Sequence, residues 1–187
     1  MKAITNVVGF DDAPFPHAHR GDVRIIGAVC CRTRLDGVLS SRVRRDGANS
    51  TDALIELVSG SKFNEHIRAV LLQGIALAGF NVVDIHRLSR ELDVPVIVTV
   101  RRYPRMAMVK DALFDRTPGP ARKWKLIEQA GALEKSGAMW IQRIGLDAAE
   151  AAALLRATTL HGNVPEPLRL AHLIAGGVTT GESRGRA

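Results

Sequence analysis

The sequence predicts an α/β fold: a mixed sheet that opens as a three-strand meander, continues with parallel strands and is flanked by helices. Three observations carry this. Three strand-like runs follow one another near the N-terminus, joined by connections short enough for antiparallel neighbours. Beyond them, stripes at helical spacing alternate with short apolar runs. No internal repeat or low-complexity tract competes with that order, and 187 residues with an apolar fraction of 46% suffice for a single domain, 1–187, with a sizeable core.

Residues 4–10 read as the first strand, 23–31 as a longer second one, and 37–45 as a third with alternating character in Val38, Ser40 and Arg42. After the loop 46–50, residues 51–59 place Leu54, Ile55 and Val58 on one helical face. A polar stretch then leads to the apolar strand 69–72. The next helix takes Asn81 as its N-cap, Asp84 in a capping-box-like position, and Val82, Ile85, Leu88 and Leu92 as its buried stripe. Pro95 opens the strand 96–100. Residues 110–114 and 123–129 read as helices, 139–144 as a strand, and the alanine-rich 147–158 as a helix. Pro165 and Pro167 begin a last helix that ends at Gly176 and Gly177. This is the element order of a ribonuclease H-like fold, in which the first strand is central and pairs with the fourth.

That pairing makes two strand ends neighbours: the first run stops at Asp11 and Asp12, the fourth at Gln73 and Gly74. In open α/β sheets ligands gather outside the carboxyl ends of strands, where carboxylates hold Mg²⁺ through oxygen. Asp11 and Asp12 project to opposite faces of a regular strand, so Asp11 is the favoured ligand and Asp12 supports it or shapes a turn. Mg²⁺ or Mn²⁺ ions clamped there would activate water and stabilise the leaving oxygen of a phosphodiester. Asp46, Asp52 and Glu56 border the same crevice in this fold, with Asp46 the first candidate for a third ligand.

The charge balance points to a polyanion. Lys and Arg number 26 against 19 Asp and Glu, a net charge of +7. The surplus concentrates between positions 101 and 125, beginning with Arg101, Arg102 and Arg105, and again at Arg32, Arg34, Arg42, Arg44 and Arg45. Such runs contact phosphate or form a solvated face. Aromatic residues make up only 4%, which disfavours a single-strand binder built on stacking platforms. Phe80 sits on a loop at the proposed edge, where a ring can line a pocket for an extruded base or staple its own helix. Gly74 and Gly79 flank that loop. His17 and His19 have metal-ligand spacing within a proline-bounded surface segment, and Glu166 begins the last helix, which also carries Arg169 and His172. Cys30 and Cys31 lack zinc-type spacing and read as core thiols. No apolar stretch approaches the roughly 20 residues of a membrane span, and the N-terminus lacks a signal-type segment, so a cytoplasmic protein is expected.

Several segments together resemble the mainly archaeal domain of unknown function 99 family, endonuclease dU-like and distantly similar to endonuclease V. They are residues 9–15, Asp46 with Gly47, Gly74 with 78–84, 95–98 and 165–172. The resemblance implies a metal-dependent DNA endonuclease of repair type that cuts near deaminated bases, deoxyuridine foremost. It makes Asp11 the metal-binding aspartate of the first strand, and Arg101 or Arg102 a phosphate holder. The sequence departs from the family pattern at Gln73 and Asn49, where acids usually stand. Each change removes a negative charge, so metal affinity falls. The alternative is a non-catalytic nucleic-acid-binding relative.

Overall fold

In the computed structural model, which describes residues 4–183, β1 (Asn6–Asp12) pairs antiparallel with β2 (Asp22–Cys31), and β2 with β3 (Arg34–Arg44). On its other side β1 runs parallel to β4 (Ala69–Gln73), and β4 parallel to β7 (Val96–Val100). β9 (Met139–Ile144) joins β7 antiparallel and carries the short β8 (Glu134–Ser136) at the sheet edge. A separate two-strand hairpin, β5 (Ala76–Leu77) and β6 (Asn81–Val82), stands between β4 and the next helix. The mixed seven-stranded sheet with central β1 agrees with the fold class expected above.

Among the described residues six helices flank the sheet: α1 (Ser50–Ser59), α2 (Ile85–Leu92), α3 (Met106–Arg116), α4 (Pro120–Gln129), α5 (Ala148–Thr158) and α6 (Glu166–Thr180). Strand alternation sorts the core. Val8, Phe10, Val70 and Leu72 pack with Leu54 and Val58 of α1 and Leu88 of α2. Val7, Leu71 and Ile97 face the other way, against Ala151 and Leu154 of α5 and Leu168 of α6. Gly9 shares this second face, and α6 crosses β1 there. A Cβ on Gly9 would lie 2.5 Å from the carbonyl carbon of Pro167 and 2.7 Å from the nitrogen of Leu168, both backbone atoms. Gly9→Ala must therefore push α6 off the sheet. We expect it to lower the melting temperature by about 5–10 °C, the effect of about 2–3 kcal/mol of overpacking in a chain this long; an unchanged melting curve would contradict the close crossing.

Boundaries differ from the sequence expectation at several elements: the third strand begins at Arg34 rather than residue 37, and the helices expected at 110–114 and 123–129 run Met106–Arg116 and Pro120–Gln129. β1 does not stop at Phe10 but runs through both aspartates, because β2 continues to pair alongside them as Asp11↔Ile26 and Asp12↔Ile25. Asn81 is not the N-cap of α2. It lies buried in β6, where its Oδ1 accepts from Ser50 N at 3.0 Å and its Nδ2 donates to Arg44 O and Asn49 Oδ1, while Asp84 caps α2 by accepting from Arg87 N at 2.9 Å. α6 runs past Gly176 and Gly177 to end at Gly181, whose φ of 84° suits glycine. Ala171, Ala175 and Gly176 are buried on the sheet side, so close packing offsets the roughly 1 kcal/mol cost of helical glycine.

Candidate active site

The β1–β4 register ends at Phe10↔Leu72, and one residue further Asp11 and Gln73 stand side by side at the carboxyl ends of two parallel strands. Val7 and Leu71 pack beneath α5 and α6, so Asp11 and Gln73, an even number of positions on, project to that same face. Thr99 of β7, paired with Gln73, follows in the row. Asp12 projects to the other face, as the alternation predicted, and its Oδ2 accepts from Ala78 N at 2.6 Å in the β5–β6 hairpin.

The crossing at Gly9 brings a third group into the site. Four helical residues rise about 6 Å and two strand residues about 6.6 Å, so α6 and β1 stay in step over one such interval. Leu168 meets Gly9, and His172 arrives over Asp11: its Nδ1 lies 2.8 Å from Asp11 Oδ2. The other carboxylate oxygen of Asp11 accepts from Asp12 N at 3.0 Å. His172 carried no assigned role in the sequence reading. Its signal was positional, four residues after Leu168, on the face that the apolar stripe of the last helix turns to the sheet.

Burial dominates the electrostatics. It pushes the Asp11 carboxyl up from its ordinary value, against the opposing pull of the His172 bond and charge. Asp12 is raised to about 6, first by burial and then by the negative charge of Asp11. Burial thus disfavours the charged form of both adjacent acids, a cost that a nearby cation would relieve. For Asp12 the folded pKa of about 6 exceeds the ordinary 3.8, so the folded state binds the proton more tightly. Its contribution to stability is complete below the ordinary value and lost as pH rises through the folded one. Asp12→Asn keeps an acceptor for Ala78 and cannot ionise. In metal-free buffer it is expected to be more stable than the parent by about 1–3 kcal/mol at pH 7.5, with no gain near pH 4; denaturant melts at the two pH values check this.

Gln73 separates two clefts, each of about 460 Å³. One holds Asp11, Asp12 and His172; the other is lined by Thr99, Arg101 and Arg102. Among the described residues, two buried side-chain atoms make no hydrogen bond, Arg45 Nε and Gln73 Oε1. Arg45 Nε faces Asp46 Oδ2 at 3.2 Å as an ion pair. Gln73 Oε1 is left as an acceptor without a donor, a costly state unless a cation or ligand proton meets it.

The remaining candidates lie elsewhere. Asp46 is turned to the β5–β6 hairpin: its Oδ1 accepts from Phe80 N at 2.8 Å, its Oδ2 faces Arg45, and it lines neither cleft beside Gln73. Asn49 serves the same turn, accepting from Arg44 N and Asn81 Nδ2, and Asp52 pairs with Arg87 at 2.7 Å. Glu166 is buried in a two-bond pair with Arg169. His19 bonds Asp22 O rather than converging with His17. Arg105 is exposed ahead of α3, and Phe80 is half-buried and lines a third cavity. Among the described residues no helix is long and apolar enough to cross a membrane.

The donor set suits a hard cation. Asp11 offers a carboxylate and Gln73 an unmatched amide oxygen, both of the oxygen type that Mg²⁺ and Mn²⁺ take. Among the described residues no cluster of three or more His, Cys, Asp and Glu side chains is assembled to hold an ion. Mg²⁺ commonly needs only one or two protein carboxylates, with water and substrate phosphate completing its shell.

A family profile described as endonuclease dU matches residues 3–179. A UPF0215 protein of Deinococcus radiodurans is 54% identical over 183 residues, covering 98% of this chain and 93% of that protein. A crystal structure of an Archaeoglobus fulgidus protein, 37% identical, superposes with a TM-score of 0.87 over 93% of this chain and 98% of that chain. Endonuclease V of Ciona intestinalis, crystallised with a 24mer DNA containing an inosine followed by a ribo-adenosine, superposes with a TM-score of 0.56 at 13% identity, over 89% of this chain and 82% of that chain. At that identity the likeness is one of fold.

Proposed function

This chain belongs to the endonuclease dU family, and from that premise we propose that it is a metal-dependent nuclease that nicks DNA near deaminated bases, deoxyuridine foremost. One observation carries the reading: the unpartnered Gln73 Oε1 beside the Asp11 carboxylate, at the carboxyl ends of adjacent parallel strands. Asp11 and Gln73 would hold Mg²⁺ or Mn²⁺, which when bound supplies an activated water and charge stabilisation at the leaving oxygen. His172 orients the Asp11 carboxylate through Nδ1, and its Nε2 is the ring atom available to exchange a proton with water. Arg101 and Arg102, across Gln73, hold a phosphate beside that centre. The DNA bound by the Ciona endonuclease V supports nucleic acid as the substrate.

The test is incubation of the protein with duplexes carrying deoxyuridine or deoxyinosine and with undamaged duplex. Nicking of the damaged strands in Mg²⁺ or Mn²⁺, abolished by EDTA and restored by added metal, is expected. No nicking under any of these conditions would overturn the proposal. The pairing of Gln73 with a single nearby aspartate on its own sheet face favours a second reading, a non-catalytic nucleic-acid-binding relative. That reading expects salt-sensitive, metal-independent binding without product.

A further inference from the structure

We infer that Arg24 and Arg42, side by side on the sheet face that carries Asp11, form a second phosphate-binding site that holds DNA on the β2–β3 side of the Asp11–Gln73 pair. The inference rests on the nuclease reading above and adds one flank of the substrate to it. In the β2–β3 ladder Arg24 stands directly opposite Arg42. Like charges at opposed positions of an antiparallel pair repel and destabilise it. The next pair on that face, Asp22 opposite Arg44, is compensated by a contact of 3.8 Å. Among the described residues no carboxylate pairs with Arg24 or Arg42. Two adjacent guanidinium groups without a counter-charge suit the oxygens of a phosphate, which they meet with charge-assisted hydrogen bonds.

The register sets these arginines beside the site. Asp11 pairs with Ile26 and Ile26 with Ser40; Arg24 and Arg42 follow two residues on, past the carboxyl end of β1 and on the same face. From strand and residue spacings their Cα atoms lie about 8 and 12 Å from that of Asp11, which roughly two to four nucleotides of duplex span at about 3.4 Å each. Arg24 Nη1 donates to Ser40 Oγ at 3.0 Å, so the guanidinium leans back towards the Asp11 row. At β3 this face is open: Leu39 and Val43 are buried with α1 on the other side, whereas Ser40 and Arg42 are exposed. The cleft at Asp11 leads the same way. It follows α6 along His172, Gly176 and Thr180, while Ala171 and Ala175 of that helix join the cluster of Ile26 and Ala28 of β2. Arg101 and Arg102 stand beyond Gln73 on the opposite side. A strand that crosses the Asp11–Gln73 pair therefore meets arginines on both sides.

The fold also divides the basic run of the sequence. Arg32 and Arg34 lie at the β2–β3 turn, level with the amino end of β1 and at the far end of the sheet from Asp11. They serve as a control of equal charge. The experiment measures binding in EDTA, where no cutting occurs, of a deoxyuridine duplex and its undamaged counterpart over a range of salt concentrations. Arg24→Gln combined with Arg42→Gln is expected to reduce the slope of log affinity against log salt by about 1.8, the loss of two phosphate contacts. It is expected to weaken both duplexes alike, by about tenfold or more at about 0.1 M salt, because phosphate contacts carry no base identity. Arg32→Gln combined with Arg34→Gln is expected to keep the wild-type slope. Arg42→Gln alone, at an exposed position, is expected to show about half the reduction and decides the matter if the double variant does not fold. A folded Arg24 and Arg42 variant with the wild-type slope, or an equal loss in the Arg32 and Arg34 variant, would overturn the flank site, while nicking by the wild type would keep the nuclease reading. Wild-type protein that neither binds nor nicks these duplexes would overturn both.

Discussion

Asp11→Asn is expected to reduce nicking of a deoxyuridine duplex by about a thousandfold or more and to abolish saturable Mn²⁺ binding at the site. The substitution is nearly isosteric, keeps an oxygen for Asp12 N and His172, and removes the carboxylate that faces Gln73. A thousandfold corresponds to about 4 kcal/mol, within the several kcal/mol of charge stabilisation that a metal supplies to phosphoryl transfer. Because burial disfavours the charged form of Asp11, the neutral variant should fold at least as stably in EDTA. Lost activity with an unchanged or raised melting temperature therefore distinguishes a missing ligand from a damaged fold. A variant retaining wild-type nicking would remove Asp11 from the chemistry.

The second large effect has the opposite sign. Gln73→Asp is expected to tighten Mn²⁺ binding by about tenfold or more and to raise nicking at low metal concentration. It places a second charge on the α6 face beside Asp11, where two like charges about 4 Å apart repel by a few kcal/mol at an effective dielectric of ~20 and each attracts a divalent ion more strongly. In EDTA the same variant should melt below the parent, because repulsion acts without a cation to offset it. Added Mn²⁺ should restore the difference. If affinity for Mn²⁺ is unchanged, Gln73 is not a ligand and its orphan Oε1 serves something else.

The sheet was legible in the sequence because its signal is local. Each strand of the parallel core is a short apolar run, and the meander shows itself through short connections, so central β1 and its pairing with β4 follow from order alone. The alternation of side chains also separated Asp11 from Asp12 correctly. What escaped depended on contacts between distant segments. Asp46 carries a carboxylate near the crevice in the chain's topology, yet its oxygens are engaged by Phe80 N and Arg45, a partnership that no spacing announces. Asn81 has the composition of a helix cap, and three hydrogen bonds to the β3–α1 turn outweigh that propensity. β8 consists of Glu134, Lys135 and Ser136, with no apolar residue to mark it, and exists because β9 offers an edge to pair with. His172 and Asp11 are 161 positions apart and meet through the absence of a side chain at Gly9.

The most direct test of the account is an anomalous difference map from crystals soaked in Mn²⁺. The expected result is a single strong peak in coordinating contact with an Asp11 carboxylate oxygen and Gln73 Oε1, lost in crystals of Asp11→Asn. A map without a peak between these two side chains, or with the ion held elsewhere while Gln73 Oε1 stays unpartnered, would contradict it.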